Sequence, residues 1–123
     1  MAVEHLVELG HRDIVYAGGR GGTVGRVRAE AYRSAMAAVG LAERAEVLES
    51  DFSEEDGASA ARQILGRSHR PTAVVCCGDQ CAAGVLAVFA RADVNVPGEI
   101  SVVGFDDSYV ASLSCADARH VPA

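Results

Sequence analysis

The sequence contains no lysine and no tryptophan, and it holds only three Tyr and three Phe in 123 residues. Without lysine there is neither Schiff-base chemistry nor a P-loop grip on phosphate, since both need that side chain. The eleven basic residues are all Arg against a net charge of −6. The chain therefore lacks the basic face that phosphate neutralisation demands, which argues against nucleic-acid binding by these residues. No apolar run approaches the length of a membrane span, so a soluble chain with no membrane partner is expected. The start, Met1-Ala2-Val3-Glu4-His5, lacks the basic segment and apolar core of an export signal, which points to the cytoplasm. Cys76, Cys77, Cys81 and Cys115 form no C-x-x-C pair, and His5, His11, His69 and His120 show no metal-ligand spacing. Buried, free thiols are expected, with no metal and no other cofactor. No nucleophile–base pairing is readable, so the chain is expected to bind and not to catalyse.

Half of the residues are hydrophobic, chiefly Ala, Val and Leu, enough for one domain with a packed core. Their pattern alternates between helical and strand periods. Residues 2–9 place Val3, Leu6 and Val7 on one helical face before Gly10. Residues 13–18 read as a buried strand, and the glycine-rich run 18–22 leads to a helix over about 24–39 with Thr23 as its cap. Residues 45–50 make a second strand. Ser53-Glu54-Glu55-Asp56 is a capping-box-like start for a helix ending near Gly66. Pro71 opens an apolar strand over 72–77. Asp79 is expected to cap a helix whose inner face is Ala82, Val85, Leu86 and Phe89, and 100–105 is the fourth strand. The order α-β-α-β-α-β-α-β implies parallel strands: an α/β fold with an open, doubly wound sheet and helices on both faces. In such sheets ligands sit beyond the carboxyl ends of the strands. Segments 18–25, 51–53, 78–80 and 106–108 should converge there.

Four stretches, in order, resemble the LacI/GalR (lactose-repressor) family. Residues 2–14 are similar to its Leu-x-x-x-Gly-His-Arg-x-Ile segment. Residues 25–36 are similar to its helix with arginine, two residues, glycine and an aromatic, followed by Ala-Leu or Ala-Met, although Glu30 and Ala31 occupy the interval where glycine is usual. Residues 70–84 are similar to its Pro-Pro-Thr-Ala strand and Asp-x-x-Ala-x-Gly helix. Residues 96–107 are similar to its Val-Pro-x-Asp-Ile-Ser-Val-Val-Gly-Phe-Asp-Asp signature. The resemblance covers nearly the whole chain. It implies one lobe, residues 1–123, of a periplasmic-binding-protein-like effector domain, the carboxy-terminal one of two. Operator DNA would be bound only through a headpiece outside these residues. Residues 114–123 diverge: the stretch 115–121 lacks the family's proline, leucine and two threonines.

The resemblance implies that Arg26 is the effector-contacting arginine, able to fork onto hydroxyls or a carboxylate. A solvated or salt-bridged arginine is the plain alternative. It also implies that Asp106 accepts hydrogen bonds from vicinal hydroxyls; Asp107 is a candidate cap of the next segment, with an exchange of roles between the two acids the alternative. Phe52 is placed to stack on a sugar or base, or simply to pack a loop. Arg20, Thr23 and Asp79 are candidates for selectivity or support of the site. Gly78 stands where relatives often carry a ligand-touching asparagine. The expected effector is a small polar metabolite such as a sugar, and the expected partner is a second copy. The apolar segments 85–89 and 94–96 are candidate dimer surfaces or core. The rivals are a periplasmic sugar-binding module of the same fold and a flavodoxin-like enzyme or receiver. The missing lysine and the Gly18-Gly19-Arg20 run at the first strand end disfavour the latter.

Overall fold

The computed structural model describes residues 1–105. The elements run α1 (Ala2–Glu8), β1 (Ile14–Gly19), α2 (Gly22–Ala38), β2 (Glu46–Ser50), α3 (Glu54–Leu65), β3 (Ala73–Cys76), α4 (Asp79–Arg91) and β4 (Ser101–Gly104), with a short 3-10 turn at Ala42–Arg44. The four strands form one parallel sheet in the order β2-β1-β3-β4. The expected doubly wound α/β sheet is present. Right-handed crossovers place α1 and α2 on one face and α3 and α4 on the other. The chain leaves β1 toward one face and β3 toward the other, so a crevice opens at their shared carboxyl end.

The strands are apolar because both faces are covered. Ile14, Tyr16, Ala17, Val74, Val75 and Cys76 are at most 1 % exposed. On the α2 face Tyr16 stacks on Tyr32, with ring centroids 5.2 Å apart and planes 17° from parallel. Tyr32 ties its helix to two strands: its hydroxyl donates to the Ile14 carbonyl at 2.6 Å and accepts from the Glu46 amide at 3.0 Å.

Ser53 caps α3 as the sequence suggests, its hydroxyl accepting from the Asp56 amide at 3.1 Å. Two other expected caps are corrected. Helix α2 starts at Gly22, with Gly21 as its cap residue at φ 98°, so Thr23 lies inside the first turn and caps nothing. A left-handed glycine turns the chain into the helix before a β-region side-chain cap can form. Asp79 is likewise the first residue of α4, behind an extended Gly78, and makes no cap bond. The candidate dimer segments 85–89 and 94–96 resolve largely as core: Val85 and Phe89 are fully buried, and Leu86, Val94 and Val96 are at most 8 % exposed.

Arg67 grips Glu46 with both guanidinium branches, one of them at 2.8 Å. Those hydrogen bonds hold the Glu46 carboxyl below its ordinary range. A carboxyl depressed in the folded state stabilises above its unfolded pKa of about 4.3, and that contribution is lost as pH falls through the lower folded value. The pair is partly exposed, so its worth stays below about 1 kcal/mol. Glu46→Gln is therefore expected to lower stability by less than that amount at neutral pH. Urea melts of the two proteins should converge in acid.

Candidate functional site

The cleft at the β1/β3 switch point is built from three loops. After β1, Arg20 fastens the glycine-rich turn to β2: its amide donates to the Ser50 carbonyl at 3.0 Å, and its Nε lies 3.7 Å from the Glu49 carboxylate. After β2, Asp51 orders the turn into α3, accepting the Ser53 amide at 2.8 Å, while its own amide donates to Asp56 at 3.0 Å. Hydrogen bonds from Ser53 hold the Asp51 carboxyl below the usual carboxylate range.

Phe52 lies half-buried between those loops and the one after β3. A Cβ on Gly21 would sit 2.6 Å from its ring, and one on Gly78 would sit 3.2 Å from it. The ring thus spans from the β1 loop to the β3 loop across two residues that lack side chains. Gly78 gives its space to Phe52.

Arg28, which the sequence reading passed over, sits at the centre. It is half-buried, and one guanidinium N–H donates to the Cys77 carbonyl at the end of β3. Its guanidinium carbon stands 5.4 Å from the centroid of the Phe52 ring and 4.9 Å from that of Phe105. An arginine faced by two rings is fixed in direction and partly dehydrated, and each such contact is worth about 0.5–2 kcal/mol. Phe105 directly precedes Asp106. Asp106 and Asp107 lie outside the described residues, as do Cys115 and the divergent 114–123 segment.

The structure does not bring Arg26 to this cleft. Arg26 is exposed, bonds the Thr23 hydroxyl at 3.4 Å, and lines a separate open groove of about 510 Å³ with Val27, Arg33, Val47 and Glu49. Two residues advance a helix by about 200°, so Arg26 and Arg28 face nearly opposite ways. The motif itself carries a signal for the arginine that does reach the cleft. An arginine four residues before the aromatic, counted back from Tyr32, is Arg28. Asp79 is exposed at the start of α4 beside Gly78.

Under the cleft, Cys76, Cys77 and Cys81 are free and fully buried. The Cys81 sulfur contacts the Ser50 hydroxyl at 3.5 Å, and the Cys77 sulfur donates to the Asp51 carbonyl at 3.5 Å. Hydrogen bonding to Cys81 and burial push the Cys76 and Cys77 thiols up, and the same hydrogen bonds push the Cys81 thiol down, so the three titrate as one buried cluster. Among the described residues, no three metal-ligating side chains gather into a cluster, and no helix is long and apolar enough to cross a membrane.

Residues 3–118 match the family model of the periplasmic binding protein-like domain. The chain is 38 % identical over 109 residues to the HTH-type transcriptional repressor PurR of Glaesserella parasuis, covering 87 % of this chain and 32 % of that protein. It is 40 % identical over 110 residues to the repressor of the same name from Salmonella paratyphi B, again covering 87 % and 32 %. Among solved structures, a LacI transcriptional regulator from a Rhodococcus species superposes with a TM-score of 0.81 at 42 % identity, covering 89 % of this chain and 41 % of that one. A dimeric Lac repressor superposes with a TM-score of 0.80 at 31 % identity, covering 93 % and 42 %. The chain thus spans about a third of the length of the curated relatives it matches.

Proposed function

Since this chain belongs to the periplasmic binding protein-like domain family, in the form found in LacI/GalR-type regulators, we propose that it is the effector-sensing lobe of such a cytoplasmic DNA-binding regulator. A small polar metabolite, a sugar or a base, binds at the strand-end cleft and makes different contacts in two lobe arrangements. That difference biases the equilibrium between them and so changes operator affinity. Operator contact belongs to a headpiece outside these residues, and the working unit is a dimer, as the dimeric Lac repressor relative suggests. The chain is a binding module, not an enzyme.

One observation carries the reading: Arg28 is held by the Cys77 carbonyl and two aromatic rings at the sheet's switch point. Among the described residues the Cys77 carbonyl is the one acceptor it meets, which leaves N–H groups for a ligand, and Phe52 offers a ring to an apolar ligand face. Arg28 and Phe52, with Asp106 as the acceptor, are the residues assigned to the effector. Arg20, Thr23 and Asp79 stand near the cleft as residues bearing on selectivity, and Arg26 faces the outer groove and takes no part in binding.

The test is calorimetric melting of the full-length protein against a panel of sugars, nucleobases and amino acids. A subset of one chemical class should raise the melting temperature. No stabilisation by any member at millimolar concentration would count against an effector site.

A further inference from the structure

Tyr16 and Tyr32 form one stacked pair, yet their hydroxyls have different fates. That of Tyr32 runs toward the amino end of the sheet and is held by Ile14 and Glu46. The Tyr16 ring runs the other way, over Gly18. A Cβ on Gly18 would lie 2.8 Å from Cζ, the carbon that bears the hydroxyl, and 2.9 Å from the Cys77 Cβ. The hydroxyl therefore reaches the carboxyl end of β1 and β3, the level at which Cys77 holds Arg28. Phe105, which faces Arg28, also meets the Tyr16 ring edge-on, with centroids 6.5 Å apart. The hydroxyl is fully buried and has no hydrogen-bond partner among the described residues. Buried polar groups are nearly always paired, and an unmet one costs stability. Nothing in the packing of the pair requires this one, because phenylalanine has the same ring.

We infer that the Tyr16 hydroxyl is a specificity-determining group of the cleft, donating with Arg28 to one oxygen acceptor on the effector, a carbonyl or carboxylate. The inference rests on the effector-site reading above and deepens it. Arg28 supplies donors only, so the ligand atom between it and a phenol O–H must be an acceptor. Burial pushes the ionisation of Tyr16 upward, so the group stays a neutral donor throughout the physiological range. The second donor discriminates against ligands without that oxygen, since their binding would leave the hydroxyl unmet.

The experiment compares wild type with Tyr16→Phe in the full-length protein, by calorimetric melting alone and with four probes. Glucuronate carries a carboxylate and uracil carbonyl oxygens; glucose, with a hydroxymethyl group in place of the carboxylate, and pyrimidine, without the carbonyls, are their counterparts. Without additive, Tyr16→Phe should melt at a higher temperature than wild type. A carboxylate- or carbonyl-bearing probe should stabilise wild type more than its counterpart does, and its affinity should fall about tenfold in Tyr16→Phe. A lower melting point for Tyr16→Phe would overturn the inference, because the hydroxyl would then have a structural partner. A probe that stabilises both proteins equally would remove Tyr16 from recognition and leave the cleft reading in place. Wild type unmoved by all four and by every member of the wider panel would instead sink the cleft reading, and this inference with it.

Discussion

Gly84→Ala is expected to destabilise the protein by about 3 kcal/mol, a fall in melting temperature on the order of 10 °C. In an exposed helix interior the same change would gain about 1 kcal/mol, because alanine is the better helix former. The sign reverses here because α3 and α4 meet backbone to backbone. A Cβ on Gly84 would lie 2.8 Å from the Ala58 amide nitrogen and 2.9 Å from the Glu54 carbonyl carbon, with the Glu54 carbonyl oxygen closer still. The contact is reciprocal, since a Cβ on Gly57 would lie 2.8 Å from the Cys81 carbonyl carbon. All of these are backbone atoms, not the movable ends of side chains, so the helices must separate, and valine should lose more than alanine. Gly66→Ala is the internal control. Gly66 adopts φ −79°, and the nearest atom to its Cβ would be at 3.6 Å, so that variant should be neutral or slightly stabilising. Equal losses at the two positions in a denaturant series would defeat the close-packing account.

This contact also reaches the cleft. Glu54 opens α3 two residues after Phe52, and Cys81 lies in the first turn of α4, three residues after Gly78. Pressing the two helix starts together sets the ring of Phe52 over Gly78, and that ring in turn faces Arg28. Gly84→Ala at a temperature where it remains folded should therefore weaken ligand response without touching any ligand-facing atom.

The strand-helix alternation was legible because each signal was local. The apolar run at 72–77 is what a strand covered on both faces requires, and Ser53 three residues before Asp56 is a complete capping pattern in itself. Thr23 failed as a cap because the backbone turned at Gly21, a choice encoded in a φ value that neighbouring sequence does not display. Segment 85–89 shows the limit of apolar patterning. It looked equally suited to a dimer face, and only its packing with α3 and the sheet makes it core. The site was half legible. The strand-end loops meet as the topology implies, and Phe52 lies between them, whereas Arg26 and Arg28 differ in helical phase and it is Arg28 that meets the Phe52 ring. The cage around Arg28 could not be read at all, because Phe52, Cys77 and Phe105 reach it from three separate strand ends.

Arg28→Met is expected to lower affinity for whichever panel compound stabilises wild type by about a hundredfold, or about 2.7 kcal/mol. Methionine fills much of the same volume between Phe52 and Phe105, so the fold should survive; what is lost is the set of guanidinium donors. Arg28→Lys separates charge from geometry. Lysine keeps the positive charge, and its ammonium can still reach the Cys77 carbonyl, but it has no planar fork to lie against two rings and meet a ligand oxygen together. An intermediate loss, about tenfold, is expected for it. If charge alone mattered, Arg28→Lys would bind like wild type. If Arg28 merely braced the β3 loop, both variants would melt lower and their affinity would be unchanged. Arg26→Met provides the contrast, because its side chain points away from the cleft and, among the described residues, bonds only Thr23. Its affinity should stay within about twofold of wild type, as for a surface substitution. A large loss at Arg26 with none at Arg28, measured by titration calorimetry, would return the effector to the outer groove and overturn the placement of the site.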